Sequence, residues 1–402
     1  MRPDTPEAAA ELLRSLGEQG RPVRPRGGGT KDWGPVVEDT VVVETGGLAR
    51  ILEHNVGDFT AVLEAGVPLA EAQAEFAAHG QMLAIDPPSA DEVGRGEAPA
   101  DGEAPGRASE AVTRLPAEAG KAAGRGSSAA ATVGGVMAAN DSGPLRHRYG
   151  SMRDLVVGTT VALSDGMLAR SGGKVIKNVA GYDLGKLFTG SLGTLGLIAR
   201  IAVRLHPLPT RTASAAGASD DPALLGEAAR VLAARPLEAD CLDMDWRDGA
   251  GRLLVRFGGA AAGDQAAATA TAMRALGLSD CEAIEDDDEL WLGQRSHQRG
   301  DCVLKVSGRL TDLPQVCETG AAVVGRPALG LYWLSLPPDA GAIADVRVAL
   351  APRACTLLDA PPELRTDAWA APEPGALAVM ARVKERFDPA RIFRPGSFVG
   401  GI

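Results

Sequence analysis

Three consecutive glycines form the first group of residues that could do chemistry. Residues 26–32 read Arg-Gly-Gly-Gly-Thr-Lys-Asp and follow a predicted strand over residues 23–26. Consecutive glycines let successive backbone N–H groups converge on one anion. Thr30 adds a hydroxyl donor and Lys31 a positive charge, so the loop is suited to a diphosphate. Taken alone, the loop is explained equally well as a tight turn without a ligand.

A second group of small residues lies at residues 131–143 and leads into a predicted strand at residues 155–163. Small residues let a flat group lie close against the backbone, and the short polar side chains of Thr132 and Asn140 could contact it. The alternative, which needs no ligand, is a helix, loop and strand packed by small residues.

A third glycine-rich stretch runs from residue 174 to residue 198. Its glycines at residues 190–196 follow a G-x-x-G-x-x-G spacing. This is neither the G-x-G-x-x-G of a nicotinamide-binding turn nor the G-x-x-x-x-G-K-[ST] of an ATP-binding loop, so both sites are disfavoured. Each stretch alone is a weak signal, but their order and spacing together indicate a dinucleotide cradle.

The elements that must position these stretches alternate between strand and helix in the first half of the chain. Thr5 is suited to cap a helix at residues 6–17. The other patterns predict strands at residues 23–26, 40–43, 61–63 and 155–163, and a helix at residues 69–79. The sequence Ser164-Asp165-Gly166 predicts a hairpin turn after the last of these strands.

From Pro207 the pattern changes to that of an antiparallel sheet with helices. It predicts strands at residues 252–257, 302–306 and 330–336, and helices at residues 264–276, 312–320 and 375–387. We therefore expect a cofactor domain at residues 1–206, an α+β cap at residues 207–370, and a C-terminal helix and tail at residues 371–402 that return to the first domain. Residues 89–128 contain few large aliphatic side chains, which predicts a disordered insert.

Composition disfavours several classes of function. The net charge of −11 argues against a nucleic-acid partner, because the phosphate backbone requires a basic face. The five cysteines form no C-x-x-C pair and have no histidine cluster beside them, so we expect neither a zinc site nor an iron–sulfur cluster. Without a signal peptide or an apolar stretch of about 18 residues, we expect a cytoplasmic protein that reaches the membrane only through partners.

These motifs resemble those of the FAD-linked oxidases with a PCMH-type FAD-binding domain, the vanillyl-alcohol-oxidase-like superfamily. Within it, the chain is similar to the FAD-binding E-type subunits of bacterial glycolate oxidase (glycolate dehydrogenase). The resemblance is carried by residues 26–31, Asp86-Pro87-Pro88, residues 132–135 and 148–150, and residues 177–184 and 190–198.

The resemblance implies an α+β fold in which residues 1–206 form a two-subdomain FAD-binding domain. It implies that residues 27–31 hold the FAD diphosphate. It also implies that Thr132, Gly134, Gly135 and Asn140 line the flavin half, with residues 149–150 beside them. Thr30 stands where members with covalently bound flavin often have a histidine, so we expect non-covalent FAD. The implied cofactor-binding residues are Arg26, Gly27, Gly28, Gly29, Thr30, Lys31, Pro88, Thr132, Gly134, Gly135, Asn140, Tyr149, Gly150 and, at the adenine end, Ile198.

Two further residues are candidates for the flavin pocket, and one variant would test the glycine loop. Lys177 and Tyr182 are candidates for lining the flavin pocket, although packing is the favoured role for Tyr182. We expect Gly28→Val to abolish flavin retention while leaving most of the fold intact, because the valine side chain would crowd the diphosphate.

The resemblance also implies a reaction and partners. A hydride equivalent would pass from C2 of a 2-hydroxy acid such as glycolate to FAD. The electrons would then pass to a homologous FAD-containing catalytic subunit and an iron–sulfur subunit. The sequence departs from catalytic relatives, because no His-x-His cluster occurs in the cap, Leu192 replaces a glutamate, and Arg394 replaces an asparagine in the tail.

No residue stands out as a catalytic base, so the sequence assigns no catalytic and no metal-binding residue. Three functions stay open. The chain is the FAD-carrying subunit of a glycolate-oxidising complex, a self-sufficient FAD dehydrogenase of a small hydroxy acid or alcohol, or a flavin-free assembly scaffold.

Overall fold

The structure is a computed structural model of the 402-residue chain. It describes residues 1–31, 33–35, 37–89, 130–173, 182–369 and 372–402. The insert predicted at residues 89–128 lies outside the described residues apart from Ser89, and so does Lys177.

The N-terminal part of the chain builds one five-stranded sheet, two two-stranded sheets and six α-helices among its described residues. In chain order these elements are α1 (Pro6–Glu18), β1 (Val23–Arg26), β2 (Val41–Glu44), β3 (Ile51–Asn55), β4 (Thr60–Glu64), α2 (Leu69–Ala77), β5 (Gln81–Met82), α3 (Val133–Ala139), α4 (Arg146–Tyr149), α5 (Met152–Leu155), β6 (Val156–Ala162), β7 (Leu168–Gly172), α6 (Leu184–Phe188), β8 (Leu197–Arg204) and β9 (His206–Pro207). Strands β1 and β2 pair in parallel, β5 pairs with β9, and an antiparallel sheet has the order β3-β4-β8-β6-β7.

Local signals account for the ends of several of these elements. The Thr5 hydroxyl accepts a hydrogen bond from the Ala8 N–H at 3.1 Å, and Pro6 occupies the first turn of α1, where its missing N–H costs nothing. Between β6 and β7, the Asp165 carboxylate accepts a hydrogen bond from the Met167 N–H at 2.9 Å, and Gly166 has a φ of 82°. The predicted helix at residues 6–17 and the predicted hairpin are therefore confirmed.

The C-terminal part is built around one eight-stranded sheet. In chain order its elements are β10 (Thr212–Ser219), α7 (Pro222–Ala233), β11 (Cys241–Arg247), β12 (Ala250–Gly258), α8 (Ala262–Ala275), β13 (Ser279–Ile284), α9 (Asp288–Ser296), β14 (Val303–Ser307), α10 (Leu313–Cys317), β15 (Ala322–Arg326), β16 (Leu331–Ser335), α11 (Ala340–Ala349), β17 (Ala354–Asp359) and α12 (Pro374–Phe387). The strand order is β13-β10-β12-β11-β15-β16-β14-β17, with antiparallel neighbours throughout. The expected α+β class is confirmed.

The two faces of this sheet are covered by different partners. On one face, apolar side chains of α7, α8, α10 and α11 pack on the strands and form the largest hydrophobic cluster. On the other face, Val324 and Trp333 pack with Trp33 and Leu192 from the N-terminal part. Because side chains alternate along a strand, one sheet can both carry its own core and face the cofactor domain.

The C-terminal residues return to the start of the chain. The Val23 N–H donates to the Ile392 carbonyl at 2.6 Å, and the Arg394 N–H donates to the Val23 carbonyl at 2.9 Å. The buried Lys384 ammonium on α12 donates to the carbonyls of Thr194 and Phe393 at 2.7 and 2.6 Å. Across the ranges described above, no helix has the length and apolar character that crossing a membrane requires.

Candidate functional site

A cleft opens between the loop after β1 and the helix α3. About 750 Å³ of empty space lies within it, part of which is open to solvent. The loops at residues 24–31 and 192–198 form two of its walls, and α3 forms another. The lining residues are Arg24, Pro25, Arg26, Gly27, Gly28, Gly29, Thr30, Lys31, Thr45, Ala65, Thr132, Gly134, Gly135, Ala138, Ala139, Leu192, Gly193, Gly196, Leu197, Ile198 and Arg394.

The charge of the cleft suits an anionic ligand. Four lining residues, Arg24, Arg26, Lys31 and Arg394, are cationic, and none of the described lining residues is acidic. The Lys31 ammonium is buried and lies 3.4 Å from the Asp141 carboxylate, which holds it beside the loop. Clustered positive charge beside glycine backbone is the chemistry that a diphosphate requires.

Other segments of the chain approach the cleft so closely that several positions there have no room for a side chain, which explains why they are glycine. A Cβ on Gly27 would collide with the Thr132 hydroxyl, and a Cβ on Gly134 would lie 2.5 Å from the Ala65 Cβ. The Gly134 N–H donates to the Ala65 carbonyl at 2.8 Å, so α3 packs directly on the end of β4. The three segments meet closely because none of these contacts includes a large side chain.

Ten of the fourteen sequence-predicted cofactor residues lie together in this cleft. They are Arg26, Gly27, Gly28, Gly29, Thr30, Lys31, Thr132, Gly134, Gly135 and Ile198. Their proximity agrees with the expected site, and their contacts with FAD stay a prediction.

The other four predicted residues do not line the cleft. Tyr149 points elsewhere, because its hydroxyl donates to the Asp240 carboxylate at 3.3 Å and its ring packs edge-on against His206. Gly150 has a φ of 79° and ends α4, and Pro88 is buried. Asn140 ends α3 in the left-handed conformation, and its buried Oδ1 has no hydrogen-bond partner among the described residues.

Two further expectations are corrected by the structure. Tyr182 is 92% exposed, so the packing role favoured for it is wrong. A Cβ on Gly28 would collide with the backbone carbonyl of Ala130. Gly28→Val would therefore displace the backbone of the chain itself and would not act on a bound diphosphate alone.

Sequence reasoning noted Arg394 only as a departure in the tail and missed its place in the cleft, where it connects two walls from the far end of the chain. Its guanidinium donates to the Leu192 carbonyl at 3.0 Å and to the Trp33 carbonyl at 2.9 Å. Burial and the nearby Arg24 lower its pKa to about 10. Its φ is 42°, a conformation that asparagine adopts more readily than arginine, which accounts physically for the asparagine expected at this position.

A second group that sequence reasoning missed is a charged cluster between the cap sheet and the N-terminal part. We define it as Asp86, Asp141, Arg146, Asp243, Lys305 and Arg326, which interact electrostatically. Asp141, Asp243 and Arg326 are buried, and the other three are half-buried. The side chain of Arg326 is fully buried, and its Nε lies 3.7 Å from Oδ2 of Asp243. All three guanidinium nitrogens and Oδ1 of Asp243 lack a hydrogen-bond partner among the described residues. Burying polar groups without hydrogen-bond partners costs free energy of folding unless a ligand binds them.

The register of the cap sheet creates this cluster. Met244 on β11 pairs with Gly325 on β15, and Trp333 on β16 pairs with Lys305 on β14. The Arg326 guanidinium lies 4.5 Å from the Trp333 ring centroid, and the Lys305 ammonium lies 5.5 Å from the same ring. Two cations therefore contact one aromatic ring on the sheet face that meets the N-terminal part.

Burial shifts the pKa values of three members of the cluster, Asp243, Asp86 and Lys305, toward neutrality. Desolvation raises the pKa of Asp243 to about 7 and that of Asp86 to about 6, although nearby arginines oppose both shifts. Desolvation, aided by Arg146, lowers the pKa of Lys305 to about 8. Acids and bases with pKa values near neutrality are suited to proton transfer at physiological pH.

The cleft and the charged cluster adjoin each other. Leu192 lines the cleft and packs in the same hydrophobic cluster as Trp333. Lys31 lines the cleft and pairs with Asp141 of the charged cluster. A ligand at this end of the cleft would therefore lie next to the charged cluster.

Comparison with known proteins assigns the N-terminal part to a cofactor class. Residues 1–107 and 103–172 match the model of the FAD binding domain family. The chain is 30% identical over 209 residues to D-lactate dehydrogenase of Archaeoglobus fulgidus, covering 52% of this chain and 38% of that protein.

Two shorter matches are more similar. Glycolate oxidase subunit GlcE of Escherichia coli is 45% identical over 84 residues, covering 21% of this chain and 24% of that protein. Glycolate oxidase subunit GlcD of Bacillus subtilis is 47% identical over 78 residues, covering 19% of this chain and 17% of that protein. The chain spans well under half of the length of these relatives.

The whole fold also matches solved structures. Alkyldihydroxyacetonephosphate synthase, solved in two crystal forms, aligns with TM-scores of 0.62 and 0.63 at 13% and 14% identity. The alignments cover 98% and 99% of this chain and 75% and 77% of those chains. The expected PCMH-type fold with a cap is thus confirmed. The first 172 residues match the FAD binding domain family, and the cofactor of the chain is FAD.

Proposed function

We propose that the chain binds FAD non-covalently in the cleft and takes part in the oxidation of a short 2-hydroxy acid such as glycolate. The observation that carries the substrate class is the buried guanidinium of Arg326, which has no hydrogen-bond partner among the described residues. A guanidinium binds a carboxylate through paired hydrogen bonds.

The cleft fits FAD by its chemistry. The glycine loop at residues 27–29 lines it, Lys31 adds a positive charge, and Thr132, Gly134 and Gly135 provide a close wall of small residues. No histidine is among the residues that line the cleft in the described ranges, which supports non-covalent binding. The flavin end of the cofactor is expected near Leu192, beside the charged cluster.

The charged cluster fits a 2-hydroxy acid in two respects. Such a substrate carries a carboxylate and a neighbouring hydroxyl. Among the described residues, the cluster offers a guanidinium without a hydrogen-bond partner beside a carboxylate oxygen without a donor. We assign Arg326 to hold the substrate carboxylate and Asp243 to accept the proton of the hydroxyl. The pKa of Asp243 near 7 allows it to act as a base at neutral pH.

The residues around the cluster would orient the substrate and exclude water. Trp333 packs on the Arg326 guanidinium, and the apolar cluster of Trp33, Leu192 and Val324 closes the space between sheet and cleft. When bound, FAD supplies the acceptor for the hydride equivalent from C2 of the substrate.

We further propose that the chain works in a complex with a homologous FAD-containing subunit and an iron–sulfur subunit. The support is the similarity to GlcE and GlcD, both of which are glycolate oxidase subunits. The charged cluster specifically favours a second candidate, a self-sufficient FAD dehydrogenase, because this chain has its own candidate anion-binding group and base.

The test is anaerobic reduction of the FAD-loaded chain. The loss of flavin absorbance measures the reduction. Glycolate and D-lactate are added to the chain alone and to the chain with its partner subunits. Reduction of the chain alone supports the self-sufficient candidate, and reduction of its flavin only with the partners supports the complex. If neither acid reduces its flavin in either arrangement, the proposed function is wrong.

A further inference from the structure

Two histidines and a glutamate meet on the surface of the N-terminal part, outside the FAD cleft. His54 lies on β3, Glu75 lies in the last turns of α2, and His79 follows the end of that helix. One ligand atom from each residue lies within 4.8 Å of the others, the only such group of three among the described residues. Neighbouring imidazole and carboxylate groups are typical ligands of zinc.

The hydrogen bonds of His54 leave one ring nitrogen free to bind a metal. Its Nε2 lies 2.9 Å from Oε1 of Gln81, and the Gln81 amide is oriented by donating to the Val56 carbonyl at 2.7 Å. Because an amide oxygen can only accept, Nε2 of His54 is the donor and Nδ1 carries the lone pair. This Nδ1 is buried, has no hydrogen-bond partner among the described residues, and lies 3.9 Å from the Glu75 carboxylate.

His79 is arranged in the same way. Its Nδ1 lies 3.1 Å from the backbone carbonyl of Glu75, which can only accept, so Nδ1 is the donor. The lone pair of the neutral ring is therefore on Nε2. Metal-binding histidines almost always donate their second ring nitrogen to such an acceptor, and both rings do so here.

Packing and the helix dipole also favour a cation at this point. The His54 side chain is 8% exposed, and its ring packs edge-on against Phe76 at 5.0 Å and against His79 at 4.9 Å. The last turn of α2 contains no basic side chain, so the partial negative charge at this helix end is not neutralised by the helix itself.

We propose that Nδ1 of His54, the carboxylate of Glu75 and Nε2 of His79 bind a Zn²⁺ ion. Zinc–nitrogen and zinc–oxygen bonds of about 2.0–2.2 Å require the ligand atoms to approach more closely than 4.8 Å. The exposed side chains of Glu75 and His79 can rotate to close this gap, while His54 is held by Gln81 and Phe76. Water completes a four-coordinate site, and the ion fastens the end of α2 to β3.

The test measures zinc binding by calorimetry on the FAD-loaded full chain, without an affinity tag and after treatment with a chelator. We expect one Zn²⁺ per chain and a thermal midpoint that rises with zinc and falls again with the chelator. His79→Gln and Glu75→Gln, both at exposed positions, should each weaken zinc binding at least roughly tenfold and abolish the thermal shift.

Glu71→Gln is the matched control, because Glu71 is exposed on the same helix and outside the group. It should bind zinc like the parent chain. The proposal is overturned if the parent chain does not bind zinc, or if His79→Gln and Glu75→Gln bind it as tightly as Glu71→Gln. Since the readouts are zinc affinity and the thermal midpoint, they are independent of the proposed oxidation.

Discussion

Nε of Arg326 lies 3.7 Å from Oδ2 of Asp243, inside the interface between the cap sheet and the FAD-binding part. Neither the guanidinium nor Oδ1 of Asp243 has a hydrogen-bond partner among the residues that the structure describes. An ion pair at this distance does not satisfy five N–H donors in a buried site. This unsatisfied pair is the feature from which the proposed substrate chemistry follows.

Arg326→Met is expected to weaken substrate binding while leaving FAD in place. A charge-assisted hydrogen bond contributes about 1.5–3 kcal/mol, so the Kd for glycolate should rise roughly 10- to 100-fold. The measurement is a titration of the flavin spectrum with glycolate or with the unreactive analogue oxalate. Arg252→Met is the control, since Arg252 is half-exposed, pairs with Asp245 and does not line the cleft. Equal Kd values for the two variants would refute the assignment of Arg326.

The rate of substrate oxidation is expected to rise with pH through about 7. Burial raises the pKa of Asp243 to about 7, so its carboxyl is protonated and inactive as a base at lower pH. Asp243→Asn should lower kcat/KM and remove this limb of the pH profile. An unchanged limb in the Asp243→Asn variant would show that another group accepts the proton.

The same pKa shift predicts an effect on stability. The folded-state pKa of Asp243 is above the unfolded value of about 3.9, so the folded chain binds an additional proton between about pH 4 and pH 7. This carboxyl therefore makes the free energy of unfolding fall as pH rises through that window. Urea denaturation at several pH values should show a smaller fall in Asp243→Asn than in the parent chain.

Gly135→Val is expected to reduce FAD retention strongly while preserving the fold. A Cβ on Gly135 would meet only the Thr132 hydroxyl at 3.1 Å, so a larger side chain would extend into the cleft rather than into the protein. Flavin absorbance per chain and the Kd for added FAD measure the effect. Gly293→Val is the matched control, because Gly293 is also a helical glycine and a Cβ there meets no atom within 4 Å. If Gly135→Val retains as much FAD as Gly293→Val, the cofactor does not bind against the wall of the cleft that contains Gly135.

Lys384→Met is expected to loosen the C-terminal tail. The Lys384 ammonium donates to two backbone carbonyls and lies 2.7 Å from the buried Asp388 carboxylate. Removing one partner of a buried pair costs about 3–5 kcal/mol, which urea denaturation would detect. The exposed neighbour Arg382→Met should change the free energy of unfolding by less than about 0.5 kcal/mol. If Lys384→Met lowers the free energy of unfolding by as little as Arg382→Met does, contacts other than those of Lys384 hold the tail.

Local sequence was sufficient where the interacting residues are close along the chain. Thr5 capping α1, the turn at residues 164–166 and the glycine loop after β1 depend on neighbours a few residues away. The order of strands and helices was predicted for the same reason, because hydrophobic spacing reports which face of each element is buried. The ten predicted cofactor residues that line one cleft come from three such locally predicted segments.

Only the tertiary structure decided which distant side chains meet. The pairing of Met244 with Gly325 brings Asp243 opposite Arg326, and no local pattern in the sequence indicates the register between β11 and β15. Arg394 reaches Leu192 and Trp33, and His54 reaches Glu75 and His79, in the same way. The sequence by itself determined a glycine-lined cradle, because glycine conformation and strand periodicity are local properties. Long-range packing determined the charged groups around it, because their positions depend on how separate elements are registered against one another.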